Sequence, residues 1–155
     1  MAGRTVARKR DEGEAVWMLG GRYEAKVTAE DTDGAMTVIE MWMPAGMGPP
    51  PHTHPGAESV YVLEGRLRYH IGDQELDGPP GTFFHVPAGT LEFFEPLEET
   101  RVLVTYTPGG IERFFAEAGE PPAGPGLPPA PEGPPDVERL ASIASRYGME
   151  IQQPA

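Results

Sequence analysis

Glycine and proline interrupt this chain so often that they restrict the structures it can form. They account for 39 of the 155 residues (20 Gly and 19 Pro), with no collagen-like period. Between residues 22 and 107 they separate short apolar-rich segments, which include YEAKVTA, MTVIEMWM, SVYVLEG, RLRYHI, FFHVP, LEFFE and RVLVTYTP. Roughly eight or nine short strands fit here without a long helix, which is typical of an all-β sandwich or barrel. Glu64-Gly65 predicts a hairpin turn between SVYVLEG and RLRYHI.

Composition divides the chain into five segments. Residues 1–15 are polar and predict a flexible N-terminal tail, and residues 16–118 hold the predicted barrel. Residues 119–135 contain eight prolines and four glycines, so they predict an extended linker. Asp136 is a natural N-cap for a helix over residues 136–148, and residues 149–155 form a second predicted tail.

Two short helices are predicted towards the C-terminus. In GIERFFAEAG, the apolar residues at positions 111, 114, 115 and 118 share one face of a helix that Gly119 ends. The stripe in VERLASIASRYG gives the second helix an apolar face. Because a short amphipathic helix is not stable alone in water, we expect it to dock on the barrel or on a neighbouring subunit.

The composition also limits the partners and the location. The formal net charge is −12 at pH 7, which argues against nucleic acid, because that binding depends on basic residues that neutralise phosphates. Cysteine is absent, so disulfide and thiol chemistry are excluded. No apolar run is as long as a membrane span or a signal-peptide core, so we expect a cytoplasmic protein with no membrane partner. The absence of Asn and Cys suits a heat-adapted protein, although a GC-rich genome gives a similar bias.

The segment GMGPPPHTHPGAE contains the residues that carry chemistry. In an extended chain, residues two apart point to the same side, so His52 and His54 can direct both imidazoles at one point, as a metal chelate requires. Three prolines before His52 exclude a helix here. Glu58 has the same parity as His54, and Pro55-Gly56 can bend the strand to bring Glu58 close. The alternative is a pair of loop histidines without a ligand role.

These positions match the first motif of a known family. Gly46, five residues, His52-Thr53-His54, three residues, Glu58, six residues and Gly65 resemble the first motif of the cupins. The second cupin motif follows as Gly81, five residues, Pro87, one residue and Gly89. Over approximately residues 20–118 the chain thus resembles the small single-domain cupins of the quercetin-dioxygenase-like kind. The resemblance implies an antiparallel jelly-roll β-barrel with short C-terminal helices, a metal on His52, His54 and Glu58, and a homodimer.

The fourth position of the implied site departs from the family pattern. Cupins carry a histidine three positions after the motif-two glycine, and this chain has Glu92 there; Pro96 replaces an asparagine that the family often has. Glu92 can still ligate, and two imidazoles with two carboxylates suit one divalent ion of Fe, Mn or Zn. Alternatively, Glu92 points to solvent or pairs with Arg101.

Strand parity predicts the lining of the pocket. Val60 and Val62 share the parity of Glu58, and Phe94 shares that of Glu92, so we expect all three near the site. His85 is either a pocket acid or base, a replacement ligand, or a partly buried core histidine. His70 shares parity with Arg66 and Arg68, which favours the solvent face.

Three functions are consistent with the pattern. The first is a metal-dependent enzyme acting on a small organic molecule, for which the resemblance implies an oxygenase of quercetinase-like type. There Glu58 or Glu92 is the candidate catalytic residue that moves a proton. The second is a non-catalytic cupin that binds a small ligand, favoured by the change of histidine to Glu92. The third is a metal-assisted isomerase or lyase. Fold alone does not decide between them.

Overall fold

The fold consists almost entirely of short antiparallel strands. A computed structural model of the protein describes residues 2–152. In chain order its elements are β1 (Ala15–Met18), β2 (Gly21–Val27), α1 (Ala29–Thr32), β3 (Thr37–Met43), β4 (His52–Thr53), β5 (Ala57–Glu64), β6 (Leu67–Ile71), β7 (Gln74–Gly78), β8 (Phe83–Val86), β9 (Glu92–Pro96), β10 (Thr100–Thr107), α2 (Glu112–Ala118), α3 (Val137–Ser145) and β11 (Glu150–Ile151).

The strands form two sheets that enclose the core. One sheet has the order β1-β2-β3-β10-β5-β8, the other β11-β4-β9-β6-β7, and every pairing is antiparallel. The sheets meet through inward side chains such as Tyr69 on β6 and Phe84 on β8, whose ring centroids are 4.9 Å apart. This arrangement confirms the predicted all-β jelly-roll barrel.

Alternating side chains explain which face of each strand is buried. On β10, Val102, Val104 and Tyr106 are buried, and the residues between them are partly exposed. β10 lies between β3 and β5, so its backbone is paired on both sides and its apolar face is covered by the second sheet. Burying such valines contributes roughly 1.5–3 kcal/mol each.

The predicted hairpin at Glu64-Gly65 is wrong. β5 and β6 belong to different sheets, so this turn carries the chain from one sheet to the other. Gly65 has φ +84°, and a Cβ there would overlap the Glu99 carbonyl oxygen, so only glycine fits this crossing. The hairpin lies one turn later, between β6 and β7.

The N-terminal segment makes specific contacts with the barrel, in contrast to the predicted tail. Arg4 and Arg8 approach the carboxylate of buried Asp31 to 2.7 Å and 2.8 Å. Arg8, together with the Thr28 amide and Arg4, holds the pKa of Asp31 well below its usual range. Nearby, the amide of Gly13 donates to the buried Glu24 carboxylate.

The C-terminal segment lies against the barrel. Residues 119–135 contain no strand or helix beyond a bridge between Glu120 and Trp17, and the Trp17 Nε1–H donates to the Gly126 carbonyl. Asp136 caps α3, as the sequence predicts, by accepting from the Arg139 amide. Residues 150 and 151, expected in a tail, instead form β11 beside β4, and residues 153–155 lie outside the described residues. None of the helices described has the length and apolar character needed to cross a membrane.

Candidate metal centre

Four polar side chains meet where the two sheets come together. His52 lies on β4 and pairs with Glu92 on β9, and Glu58 comes from β5 of the other sheet. His54 follows β4, and its carbonyl accepts a hydrogen bond from the Gly89 amide, which joins the two sequence motifs. Gly56 allows the bend from β4 to β5, because a Cβ at that position would overlap the Thr107 carbonyl.

The four side chains are close enough to share one ion. One nitrogen or oxygen atom from each of His52, His54, Glu58 and Glu92 lies within 4.8 Å of the others. The two Nε2 atoms are 3.0 Å apart, and His54 Nε2 is 2.9 Å from Glu58 Oε2. His52 Nε2 is 3.9 Å from Glu92 Oε1. All four residues are more than nine-tenths buried, so water does not compete freely for these atoms.

Two carboxylate oxygens in this cluster have unused lone pairs. Tyr69, fully buried, donates its hydroxyl to Glu92 Oε1 at 2.6 Å and lies 3.5 Å from Glu58 Oε1. Glu92 Oε2 is buried without a hydrogen-bond partner among the described residues, and Glu58 Oε2 has none besides its 2.9 Å contact with His54 Nε2. A buried oxygen without a partner costs about 1–3 kcal/mol, and a cation would remove that cost.

The histidines present the atoms that a metal needs. His52 Nδ1 lies 2.8 Å from the Pro50 carbonyl, which can only accept, so Nδ1 carries the proton and Nε2 keeps its lone pair. This contact of the second ring nitrogen with a backbone carbonyl is the usual way in which a protein orients a histidine ligand. Two nitrogens and two carboxylate oxygens suit Fe(II), Mn(II) or Zn(II). The residues therefore fit one divalent ion.

Burial shifts the pKa values of all four groups. Desolvation raises the pKa of Glu58 to about 7, and desolvation together with the Glu58 charge raises that of Glu92 to about 8. Desolvation lowers the pKa of both His52 and His54 below the ordinary histidine value. Near neutral pH the metal-free cluster therefore keeps Glu92 mostly and Glu58 partly protonated and holds neutral imidazoles, and a divalent cation would displace those protons.

The cluster opens into a small apolar cavity of about 50 Å³. Phe94, predicted near the site, lies in its wall together with His52, His54 and Glu58. The remaining wall residues are Met18, Leu19, Tyr23, Met41, Pro49, Pro50, Tyr106, Phe114, Phe115, Leu140, Met149 and Ile151. This volume holds only a few water-sized molecules. The C-terminal segment contributes Leu140, Met149 and Ile151, so it covers the site.

Three residues expected at the pocket lie elsewhere. Val60 and Val62 are fully buried, but in the core rather than in the cavity wall. His85 is on the outer face of β8, where Nδ1 lies 3.1 Å from Ser59 Oγ. Its neighbours on the strand, Phe84 and Val86, point inwards, and alternation therefore directs His85 outwards.

Sequence reasoning missed two groups of site residues. Parity places Tyr69 on the inward face of β6, but its contact with Glu92 follows from the register between β6 and β9, which the sequence does not specify. Tyr106, whose ring lies 5.3 Å from that of His54, was likewise not singled out. The C-terminal residues of the cavity wall carry no signal beyond the apolar stripe of α3.

Fold and site together define a cupin. The protein-family profile of the cupin domain matches residues 38–92, which extend from β3 to the first residue of β9 and contain all four residues of the cluster. A curated protein, quercetin 2,3-dioxygenase of Bacillus subtilis (strain 168), is 31% identical over 115 residues, which are 72% of this chain and 34% of that protein. The chain belongs to the cupin family. It spans about a third of the length of the curated relative it matches.

Solved structures share the fold. An RmlC-like cupin from Shewanella frigidimarina NCIMB 400 superposes with a TM-score of 0.64 at 15% identity and covers 73% of this chain and 99% of its own. KdgF from a Halomonas species superposes with a TM-score of 0.60 at 18% identity, over 68% of this chain and 96% of its own. At these identities the similarity establishes the barrel architecture alone.

Proposed function

We propose that this cupin is a metal-dependent dioxygenase that acts on a small organic molecule. The observation that carries the proposal is the buried set of two histidines and two glutamates, each of which offers one ligand atom within 4.8 Å of the others. The similarity to quercetin 2,3-dioxygenase supports the reaction class. A redox-active divalent ion held by His52, His54, Glu58 and Glu92 would supply the chemistry of dioxygen.

The chain's own residues set the conditions for that chemistry. The apolar wall excludes bulk water, which strengthens every charge interaction inside the cavity. Glu58 and Glu92 are the two acidic side chains of the cluster, so either could accept or return a proton at a carboxylate oxygen that the ion does not occupy. Tyr69 holds Glu92 by its Oε1 and thereby fixes the direction of Oε2.

The size of the cavity constrains how an organic substrate reaches the site. About 50 Å³ is far below the roughly 300–1,000 Å³ typical of small-molecule sites. A flavonol-sized substrate therefore requires displacement of the side chains that α3 and β11 place over the cluster. Motion of such a covering element is a common gating step in enzymes.

Oxygen consumption tests the dioxygenase proposal. Protein reconstituted separately with Fe(II), Mn(II) and Zn(II) would be mixed with quercetin and with a panel of catechols under air. We expect uptake with at least one redox-active ion and none with Zn(II), and His52→Ala should abolish it. His85→Ala is the matched control, because it removes an imidazole from the outer face. Oxygen uptake equal in wild type and His52→Ala would contradict the proposal.

A second candidate is a non-catalytic cupin that binds a small ligand. Two observations favour it, namely Glu92 at the position where the family has a histidine and the covered cavity. In that case metal-loaded protein binds an organic ligand but consumes no oxygen with any of the ions. The same oxygen measurement therefore separates the two candidates.

We also propose that the protein forms a homodimer through the outer face of β5 and β8. Tyr61 and Phe83 are directly opposite each other on these strands and are 40% and 65% exposed, and Leu63 extends the apolar surface. A contiguous exposed apolar surface of this kind typically marks a protein interface. The cytoplasmic location and the heat adaptation stay predictions of the sequence.

A further inference from the structure

A second cavity, of about 280 Å³, shares a wall with the candidate metal centre. His54, Tyr106 and Met149 line both this cavity and the smaller one. Its other wall residues come from the turn after His54, from the segment between β10 and the first turn of α2, and from the C-terminal segment. They are Pro55, Gly56, Ala57, Pro108, Gly109, Gly110, Ile111, Arg113 and Tyr147. We call it the Arg113 cavity. Its volume is near the lower end of small-molecule sites and suits a ligand of about ten heavy atoms.

The polar side chains of the Arg113 cavity are donors. They are the Arg113 guanidinium, the His54 imidazole and the hydroxyls of Tyr106 and Tyr147, of which that of Tyr147 already donates to Glu117. No Asp or Glu is among the described residues that line this cavity. This is unusual in a chain with 24 acidic residues and a net charge of −12. A wall that offers a fixed positive charge and hydrogen-bond donors, without a carboxylate, is complementary to an anion.

Arg113 is available for such a ligand. It forms no ion pair within residues 2–152, whereas the arginines at positions 4, 8, 10, 66, 68, 101 and 146 each lie against a carboxylate. The neighbouring Glu112 does not neutralise it, because that carboxylate accepts from the Ala29 amide and the Thr37 hydroxyl. A planar guanidinium without a partner can bind a carboxylate through two hydrogen bonds.

His54 provides the second contact. It is more than nine-tenths buried, and its Nδ1 has no hydrogen-bond partner in the described part of the chain. Nε2 is directed at the cluster with His52 and Glu58, so an ion bound there leaves the proton on Nδ1. A ligand histidine usually donates this second N–H to an acceptor. A carboxylate in the Arg113 cavity would be that acceptor.

We infer that the Arg113 cavity binds the carboxylate of a small organic acid between the Arg113 guanidinium and His54. If the bound acid is the substrate, the inference names the substrate class of the proposed dioxygenase. Only that part of the inference rests on the proposed function. The Arg113 contact does not require the metal, because the cavity and Arg113 are present in the protein as described. The His54 Nδ1–H contact does require an ion on Nε2, so we expect the Zn(II)-loaded protein to bind the acid more tightly than the metal-free protein. The anion would contact a proposed metal ligand directly, so the acid is recognised beside the ion.

Two probes of equal shape test the inference. Benzoate and benzamide have nearly the same shape, but only benzoate carries a negative charge. Each probe would be titrated calorimetrically into metal-free and into Zn(II)-loaded full-length protein. The difference between the two probes gives the contribution of the carboxylate to binding. We expect benzoate to bind with a Kd on the order of 1 mM or tighter and benzamide about tenfold or more weakly. Arg113→Gln should weaken benzoate about tenfold or more and leave benzamide unchanged.

Arg146→Gln is the matched control. Arg146 is also an exposed arginine near this surface, but it pairs with Glu117 and does not line the cavity, so benzoate affinity should stay within about twofold of wild type. The inference is overturned if neither probe binds, if both bind equally, if Arg113→Gln binds benzoate like wild type, or if Arg146→Gln loses as much affinity as Arg113→Gln. Because benzoate binding is also measured on metal-free protein, a negative binding result does not contradict the dioxygenase proposal. Likewise, a negative oxygen-uptake result does not contradict binding of the acid.

Discussion

Glu92 and Tyr69 work as a pair at the candidate metal centre. The Tyr69 hydroxyl donates to Glu92 Oε1 at 2.6 Å and so fixes the orientation of a carboxylate whose Oε2 has no other partner among the described residues. The substitution of Glu for the family's histidine is therefore compatible with metal binding because the fold supplies an orienting donor.

Removal of the Tyr69 hydroxyl should weaken metal binding. We expect Tyr69→Phe to lower the affinity for Zn(II) or Mn(II) about 10–100-fold, the usual effect of losing a partner that orients a ligand. Isothermal titration calorimetry measures this directly. Tyr147→Phe is the control, because it removes a hydroxyl that donates to a carboxylate, Glu117, outside the cluster. Equal affinities in Tyr69→Phe and wild type would contradict the orienting role.

The shifted pKa values predict how pH affects the metal-free protein. The pKa of Glu58 is raised to about 7 and that of Glu92 to about 8, from an ordinary 4.5. The folded state therefore binds more protons than the unfolded state until the pH passes these values, so stability falls as pH rises through them. Below about 6.5 the lowered histidine pKa values act in the opposite direction, because unfolding then takes up protons.

The clearest pH window is therefore from about 6.5 to about 8. Over it we expect the free energy of unfolding of the metal-free protein to fall, on the order of 2 kcal/mol. Metal affinity should rise over the same window, because binding releases the carboxyl protons. Denaturant unfolding with chelator, repeated with Zn(II), measures both. A metal-free stability that rises with pH in this window would show that the carboxyls are already ionised.

Several site residues could be predicted from the sequence. The others show that strand parity alone does not determine which face of a strand points into the barrel. The spacing of His52, His54 and Glu58 and the position of Glu92 relative to Gly89 single out four residues that the fold brings together, and their role as metal ligands stays a prediction. Alternation shows that His85 and Phe84 face opposite ways but not which one faces inwards. Only the pairing with β5, which puts Phe84 opposite buried Val60, fixes that.

Among the elements that carry no ligand residue, the C-terminal segment contributes part of the wall of the metal cavity. Leu140 of α3 is buried and lies in the wall of the metal cavity, and β11 pairs with β4 beside His52. α3, β11 and the edge of the five-stranded sheet thus form one packed unit. Opening of the cavity from this side would require the unit to separate from the barrel.

A charge at Leu140 should release this unit. In Leu140→Asp an unpaired carboxylate would have to be buried, which costs several kcal/mol, so α3 should undock while the barrel stays folded. Hydrogen exchange of the amides in α3 and β11 should accelerate, with β3 and β10 unchanged. Ser142→Asp puts the same charge on the exposed face of α3 and should leave exchange as in wild type. Protection that persists in Leu140→Asp would show that α3 does not depend on this contact.

The sequence predicts elements better than it predicts their connections. The apolar periodicity and Asp136 locate α3 correctly, and turn residues separate the strands. The Glu64-Gly65 turn was assigned to a hairpin because hairpins and sheet-to-sheet crossings use the same residues, and only the partners of β5 and β6 distinguish them. β11 has two residues, too few for a period, and exists because β4 offers a free edge.

At the level of the whole molecule, the outer surface of β5 and β8 predicts self-association. We expect Phe83→Glu to convert the proposed dimer into a monomer, because two copies of the charge would face each other across a two-fold interface. Light scattering during size-exclusion chromatography gives the mass. Leu97→Glu, which alters an exposed apolar residue between β9 and β10, should stay dimeric. A monomeric wild type would show that this surface has another role.

Metal content tests the proposed centre most directly. The purified protein would be stripped with chelator, reconstituted, desalted and analysed by elemental mass spectrometry, together with His52→Ala, Glu92→Ala and His85→Ala. We expect about one equivalent of a divalent ion in wild type and in His85→Ala, and a large loss in the other two variants. Less than about a tenth of an equivalent in reconstituted wild type, or full retention in Glu92→Ala, would contradict the four-residue metal centre.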